Sequence, residues 1–530
     1  MFSGTVEGQA FLFILAGLVA GLLLIGWRTQ LMTVLSWALM VSLHARNPAV
    51  LQGGDTVFRL LLFWGIFLPL GARWSIDSSL SDTSDYRVAK CYTSISSFAY
   101  ILQVCFVYLF SAVLKTGDAW LKDFDAVYYA LAIDQFTSTF GDWLFKQNIL
   151  HEPLTIATLG LEAFGWILLL IPVFKTYFRL IAIGAFIGMH LGFAATMQLG
   201  LFSYIMCVAW LALLPGAVWN FLRRQLMSFS KEWNIHISGD PSGKVARLIR
   251  TLLVTTRLKL KTKPNSKEYS IREGDYAPHR GRSTHKSLID RSIIFSFLEL
   301  PFIRRAVKIL TQNGRQVIGN NSSKKLLYYS PHQYIIKTIP FFVGLFLLSV
   351  LSWNLYTVGN GWSMPEPWRE GVKSLRLDQK WNMFAPYPLK ADGWYVLSGA
   401  LEDGGTVGLF FENNFTRNLT RKPKDVSQMY PNQRWRKYLM NLRRPGYSEQ
   451  RGHFSSWLCY MWNVKHENKK RLSTLNIIFI EERTLPPQHD REVDVQKVDL
   501  GSYRCSIKAS EHSVAGETVD QTEKHSTKTK

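Results

Sequence analysis

Apolar residues in this chain gather into long runs separated by short polar connectors. Eight runs, at 11–27, 30–45, 56–72, 94–114, 155–174, 177–197, 201–219 and 334–356, approach the roughly 20 residues that carry a helix across a bilayer. The pattern predicts a polytopic α-helical membrane protein with about eight spans. The first run lacks a basic n-region, so it reads as a span rather than a signal peptide. Residues 121–153 are amphipathic; the apolar stretch from Val127 to Ile133 is too short to cross and is expected at the interface.

Beyond 357 the pattern changes. Trp394 to Leu401 and Thr406 to Phe411 flank the acidic turn Glu402-Asp403-Gly404-Gly405, which predicts a β-hairpin. Leu475 to Glu481 predicts a further strand, and Trp435–Leu442 and Ser455–Val464 predict short helices. The expected organisation is a helix bundle over 1–220, a basic and partly disordered insertion over 221–333 and a last span at 334–356. A mixed α/β or β-rich extramembrane domain follows over 357–485, then a disordered tail over 486–530. No internal repeat is visible. Within the insertion, Arg257 to Arg291 is polar and basic and reads as disordered, and Ser292 to Leu310 suits a helix on an anionic surface.

Charge sharpens this picture. Of a net charge of +22, residues 221–334 supply 22 basic against seven acidic residues, and 357–530 supply 27 against 20. A basic block beside membrane spans points to an anionic lipid surface and not to nucleic acid. Arg28, Arg73, Arg87, Lys90, Lys175, Arg179, Arg223 and Arg224 fall in one alternate set of connectors. The other set holds Arg46, Lys115, Lys122 and Lys146 with six acidic residues. The first set is therefore cytoplasmic. Lys115 and the C-terminal domain then share the outer face, periplasmic or lumenal, of a bacterial inner membrane or the endoplasmic reticulum. Five cysteines form no CxxC or CxxH pair, so no metal site is read. Cys459 and Cys505 lie outside the spans and are free to pair in an oxidising compartment. Asn414-Phe415-Thr416 and Asn418-Leu419-Thr420 are glycosylation acceptors in a eukaryotic host.

The chemistry sits in a few ionisable residues at membrane depth, where such groups face a bundle interior. Lys115 closes the run 94–114, and serves either as a base or as a snorkelling anchor. Glu162, midway along 155–174, is a functional or core-polar carboxyl, and His190 is a packing or site histidine. Asp55 and Arg59, four residues apart, are expected to form a structural ion pair. His44 and Asn47 end the second run in a dense polar cluster, as a cap or as part of a site.

Two stretches carry a resemblance. Ser42-Leu43-His44-Ala45-Arg46-Asn47-Pro48 with Leu51-Gln52-Gly53-Gly54-Asp55 and Gly71-Ala72-Arg73-Trp74-Ser75-Ile76-Asp77 is one. The other is Trp381-Asn382-Met383-Phe384-Ala385-Pro386-Tyr387-Pro388, leading to Asp392-Gly393-Trp394-Tyr395. Together they resemble the HTTM family, multi-pass membrane proteins related to the vitamin K-dependent gamma-carboxylase, over roughly residues 8 to 485. Val113-Leu114-Lys115-Thr116-Gly117-Asp118-Ala119-Trp120 is similar to the carboxylase stretch Val-Lys-Lys-Leu-Asp-Ala-Asp-Trp. The resemblance implies that Lys115 is the catalytic base; His44, Asn47, Glu162, His190 and Trp120 are the substrate-binding candidates. A neutral lysine would deprotonate reduced vitamin K or another quinol, which reacts with oxygen to give a strong base acting on a glutamate of a protein substrate. Where the carboxylase has a functional histidine, this chain has Ala72. Family members commonly start with a further apolar span, which implies a shortened N-terminus here.

Three function classes follow. The first is a membrane enzyme acting on a quinol or lipid-like molecule with Lys115 as base. The second is a non-catalytic scaffold or assembly factor whose outer domain binds a partner. The third is a proton-coupled transporter using Glu162 and His190.

Overall fold

The computed structural model describes residues 5–80, 93–229, 232–238, 257–263, 272–273, 333–359, 361–409, 422–466, 470–487 and 494–505. The chain divides into two compact units. One comprises Met1–Met40, Leu61–Tyr100 and Leu214–Leu348; the other comprises Val41–Leu60, Ile101–Leu213 and Ser349–Lys530.

The helices, in chain order, begin with α1 (Val6–Leu24), α2 (Thr29–Arg46), α3 (Gly53–Gly65), α4 (Ile76–Leu80) and α5 (Ile95–Leu114). Three short helices follow, α6 (Asp118–Leu121), α7 (Ala126–Leu131) and α8 (Thr139–Phe145). Then come α9 (Asn148–Phe164), α10 (Lys175–Thr196), α11 (Phe202–Leu211), α12 (Gly216–Phe229), α13 (Gln333–Val358), α14 (Glu366–Ser374), α15 (Gln433–Leu442) and α16 (Ser448–Lys465).

Among the described residues, five helices are long and apolar enough to cross a membrane, or six if Phe202–Leu211 and Gly216–Leu226 form one broken span. This falls below the eight expected spans, and the difference lies at the second and third apolar runs. α3 has 13 residues, so it rises only about 20 Å against a hydrocarbon core of about 30 Å. α2 is diluted by Thr29, Gln30, Thr33, Ser36, Ser42, His44 and Arg46.

In the first unit, the segment before α4 folds back on the start of α2. The Asp77 carboxylate accepts from the backbone N–H of Arg28 at 2.8 Å and of Thr29 at 2.7 Å, and from the Thr29 hydroxyl at 2.5 Å. It thus satisfies donors that a helix start leaves open. Phe63 anchors an aromatic cluster with Trp37, Trp64 and Phe346 at centroid distances of 5.2–5.8 Å. The expected disorder from Arg257 is corrected in part. β1 (Glu232–Ser238) pairs in parallel with β2 (Arg257–Lys263) and antiparallel with β3 (Arg272–Glu273), because the alternating run Arg257-Leu258-Lys259-Leu260-Lys261 has strand period. The expected surface helix 292–310 and the glycosylation acceptors lie outside the described residues.

In the second unit, a four-stranded antiparallel sheet has the order β5-β4-β6-β7. β4 (Ala391–Leu401) and β5 (Thr406–Gly408) form the expected hairpin, with Gly399 opposite Val407. β6 (Leu472–Arg483) lies on the other side of β4, with Tyr395 opposite Phe479. Gly393 has φ +142 and abuts the Ile480 carbonyl, leaving no room for a Cβ. The core holds Trp394, Tyr395, Leu397, Leu439, Phe454, Ile477 and Phe479. The sheet extends past the expected boundary at 485: β7 (Asp494–Arg504) pairs with β6, and Cys505 beyond it forms a disulfide with Cys459 of α16. The apolar stretch Val127 to Ile133, expected at the interface, forms α7 and the turn that follows it. Ala126, Tyr129, Leu131 and Ile133 are all buried.

Candidate functional site

α5 presents Tyr108 and Ser111 at i and i+3, and Lys115, which follows its last turn, continues the same face at i+7. All three are buried. The Lys115 ammonium donates to Ser111 Oγ at 2.7 Å and to Glu162 Oε2 of α9 at 2.5 Å. Its Nζ also lies 5.0 Å from the centre of the Trp120 indole, within range of a cation–π contact. Lys115 is 3% exposed and Glu162 7%. Lys115, Glu162 and Trp120 therefore meet in one buried cluster, and the amine points inward rather than to a headgroup layer.

The turn after α5 is held by the segment 384–387. The Gly117 N–H donates to Pro386 O at 3.0 Å, and the Trp120 indole N–H donates to Phe384 O at 2.8 Å. A Cβ at Gly117 would stand 2.9 Å from both Pro386 O and Tyr387 Cδ1. Upstream, Gln379 ties the same segment to two helices. Its Oε1 accepts from Gln103 of α5 and from the Trp381 indole, each at 2.9 Å, and its backbone carbonyl accepts from the Trp353 indole of α13 at 2.9 Å. Two stretches that carry the resemblance, 113–120 and 381–388, are therefore in direct contact.

His190 belongs to a neighbouring chain of hydrogen bonds. Trp210 Nε1 donates to the Tyr108 hydroxyl at 2.7 Å, and Tyr108 Oη lies 2.7 Å from His190 Nε2. The phenol oxygen accepts from the indole, and the direction of its bond with Nε2 follows the imidazole tautomer. The His190 Nδ1 is buried with no partner among the described residues. Stacking of Phe186 on Trp210, at 4.3 Å, packs the same cluster.

His44, Asn47, Asp55 and Arg59 do not join Lys115. The expected Asp55–Arg59 pair is replaced by partners distant in sequence. Arg434 of α15 clamps both Asp55 oxygens at 2.5 Å, and Arg59 Nη2 lies 2.8 Å from Asp378 O and 3.6 Å from its carboxylate. The fork of a guanidinium matches a carboxylate better than an i,i+4 approach along one helix. His44 Nε2 stands 3.8 Å from Asp55 Oδ1, beyond hydrogen-bond range. Asn47 accepts from Ala49 N at 3.1 Å and caps the turn Pro48–Val50.

A third cluster was not foreseen. Asp134, Asp392 and Glu482 bring carboxylate oxygens within 4.8 Å of one another. The Lys422 ammonium sits among them, 2.6 Å from Asp134 and 2.5 Å from Glu482. Burial pushes the Asp392 carboxyl up to about 7. Asp134 adds to this, the Gln135 N–H opposes it, Glu482 adds and Lys422 opposes.

Ser111 and Tyr108 were legible as residues four and seven positions before Lys115. Trp210, Arg434 and the 384–387 carbonyls gave no local signal, because their roles depend on contacts 102 to 379 positions away.

No protein-family model matches the chain, and no solved structure matches it. Over 195 residues the chain is 29% identical to the uncharacterized protein YitO of Bacillus subtilis (strain 168). The stretch makes up 35% of this chain and 60% of that protein, so the match spans less than two thirds of the relative's length.

Proposed function

We propose that this chain is a multi-pass membrane protein of the HTTM type in which Lys115 and Glu162 form the acid–base pair of an enzyme acting on a quinol or another lipid-like molecule. The observation that carries the reading is the 2.5 Å contact between an amine and a carboxyl 47 positions apart, both buried. Two full charges in a dry interior carry a heavy desolvation cost. Passing one proton from Lys115 to Glu162 leaves a neutral amine beside a neutral carboxyl. The amine then takes a proton from a weakly acidic hydroxyl of the substrate, and the resulting ammonium faces the Trp120 ring and the Ser111 hydroxyl. The buried His190 Nδ1, without a hydrogen-bond partner among the described residues, is available to a polar atom of the substrate. Ala72 stands where the carboxylase has its histidine, so the reading stops short of glutamate carboxylation.

The loop charges support an outer-face location for this site and the C-terminal domain. The Cys459–Cys505 disulfide supports that orientation, since such bonds persist in oxidising compartments. The scaffold reading is favoured by one observation: two of the three Lys115 ammonium donors already have protein partners. Substituting Lys115→Arg separates the two readings, because arginine keeps the ion pair but does not release its proton. Membranes containing the parent protein are expected to show oxygen uptake with a panel of reduced quinones above that of empty membranes, and Lys115→Arg to abolish it. Uptake equal to empty membranes, or fully retained by Lys115→Arg, contradicts the enzyme reading.

A further inference from the structure

Leu201, the N-cap of α11, and Tyr204, Val208 and Leu211 within it follow one another at i, i+3, i+7 and i+10, and all four are exposed. α11 belongs to an apolar helix pair that passes as a broken membrane span, so acyl chains cover this stripe in a bilayer. Two of its members, Leu201 and Tyr204, continue into the wall of a groove of about 900 Å³. The opposite wall is aromatic: Trp435 and Tyr438 from α15, and Phe454 and Trp457 from α16. Trp457 lies 5.4 Å from Trp435 and is stacked on Phe454 at 6.0 Å. The volume falls in the roughly 300–1,000 Å³ range of small-molecule sites.

The polar rim is neutral in sum. Asn47, Asn432 and Gln433 are uncharged, and the Arg434 guanidinium is matched by both oxygens of Asp55. His453 faces Glu449 at 3.7 Å. A peptide laid in this groove would bring backbone donors and acceptors that its aromatic walls do not satisfy. An acyl chain brings none. The geometry points to this groove as a lateral binding site for the acyl chain of a net-neutral bilayer lipid, entered along the α11 stripe. The site shares no lining residue with the Lys115 cluster and stands independently of the proposed reaction.

The test uses the full chain in phosphatidylcholine vesicles doped with a phosphatidylcholine bearing a diazirine at the acyl terminus, followed by peptide mapping after illumination. Adducts are expected on peptides holding Tyr204 and on those holding Phe454 and Trp457. Tyr204→Glu, which puts a charge at the mouth, is expected to lower the 454–457 adducts at least fivefold with the Cys459–Cys505 bond still formed. Tyr177→Glu, at an exposed aromatic of α10 outside the groove, is expected to leave them unchanged. Adducts confined to the spans, as a groove filled by a peptide or a second copy would give, overturn the proposal. So does insensitivity to Tyr204→Glu, or stronger labelling by an anionic phosphatidylglycerol probe.

Discussion

An isolated amine or carboxylate at membrane depth is costly, and a hydrogen-bonded pair offsets much of that cost. Lys115 and Glu162 were both conspicuous in the sequence as ionisable residues within or at the end of apolar runs. Their pairing was not, because nothing local connects positions 47 apart. Asp392 shows the converse case, an ordinary acidic residue at a strand start whose burial lies in the tertiary fold. Its carboxyl is pushed up to about 7 from an ordinary value of 3.8. Between about pH 4 and 7 the native protein therefore holds a proton that the unfolded chain has released. Stability contributed by this group falls as pH rises through that window, by at most about 1.4 kcal/mol per pH unit. Substituting Asp392→Asn is expected to flatten the pH dependence of the thermal unfolding midpoint between pH 4 and 7. Parallel profiles for the two proteins would contradict the assignment.

At the scale of elements, apolar run length located the helices but not their capacity to span. Runs 30–45 and 56–72 became α2 and α3, one diluted by polar residues and the other short. The β4–β5 hairpin and β6 were legible from alternation around an acidic Gly-Gly turn. β7 was missed because it is an edge strand whose residues are mostly exposed, with Tyr503 its buried member. Charged, polar edges are what such strands carry, and they hide the period-2 signal. The disulfide fastens the end of β7 to α16. Removing it with Cys505→Ser is expected to cost about 2–4 kcal/mol, read as a lower unfolding midpoint for the C-terminal domain. An unchanged midpoint would show that β7 is held by its ladder alone.

At the scale of the whole molecule, the sequence predicted a multi-pass helical protein with a folded C-terminal domain, and the loop charges led to the expectation that this domain and Lys115 share one face. The contacts of Gly117 and Trp120 with Pro386 and Phe384 join the α5 terminus to the segment leading into the sheet. Composition and periodicity reveal none of these contacts, since each depends on backbone carbonyls placed by the fold. The central claim is that Lys115 and Glu162 act as one acid–base unit. A double-mutant cycle on quinol-dependent oxygen uptake, with Lys115→Met, Glu162→Gln and both together, tests it most directly. The account predicts that each single substitution abolishes uptake as fully as the double, since residues acting as a unit are non-additive. Independent, multiplying losses, or full activity in Glu162→Gln, would contradict it.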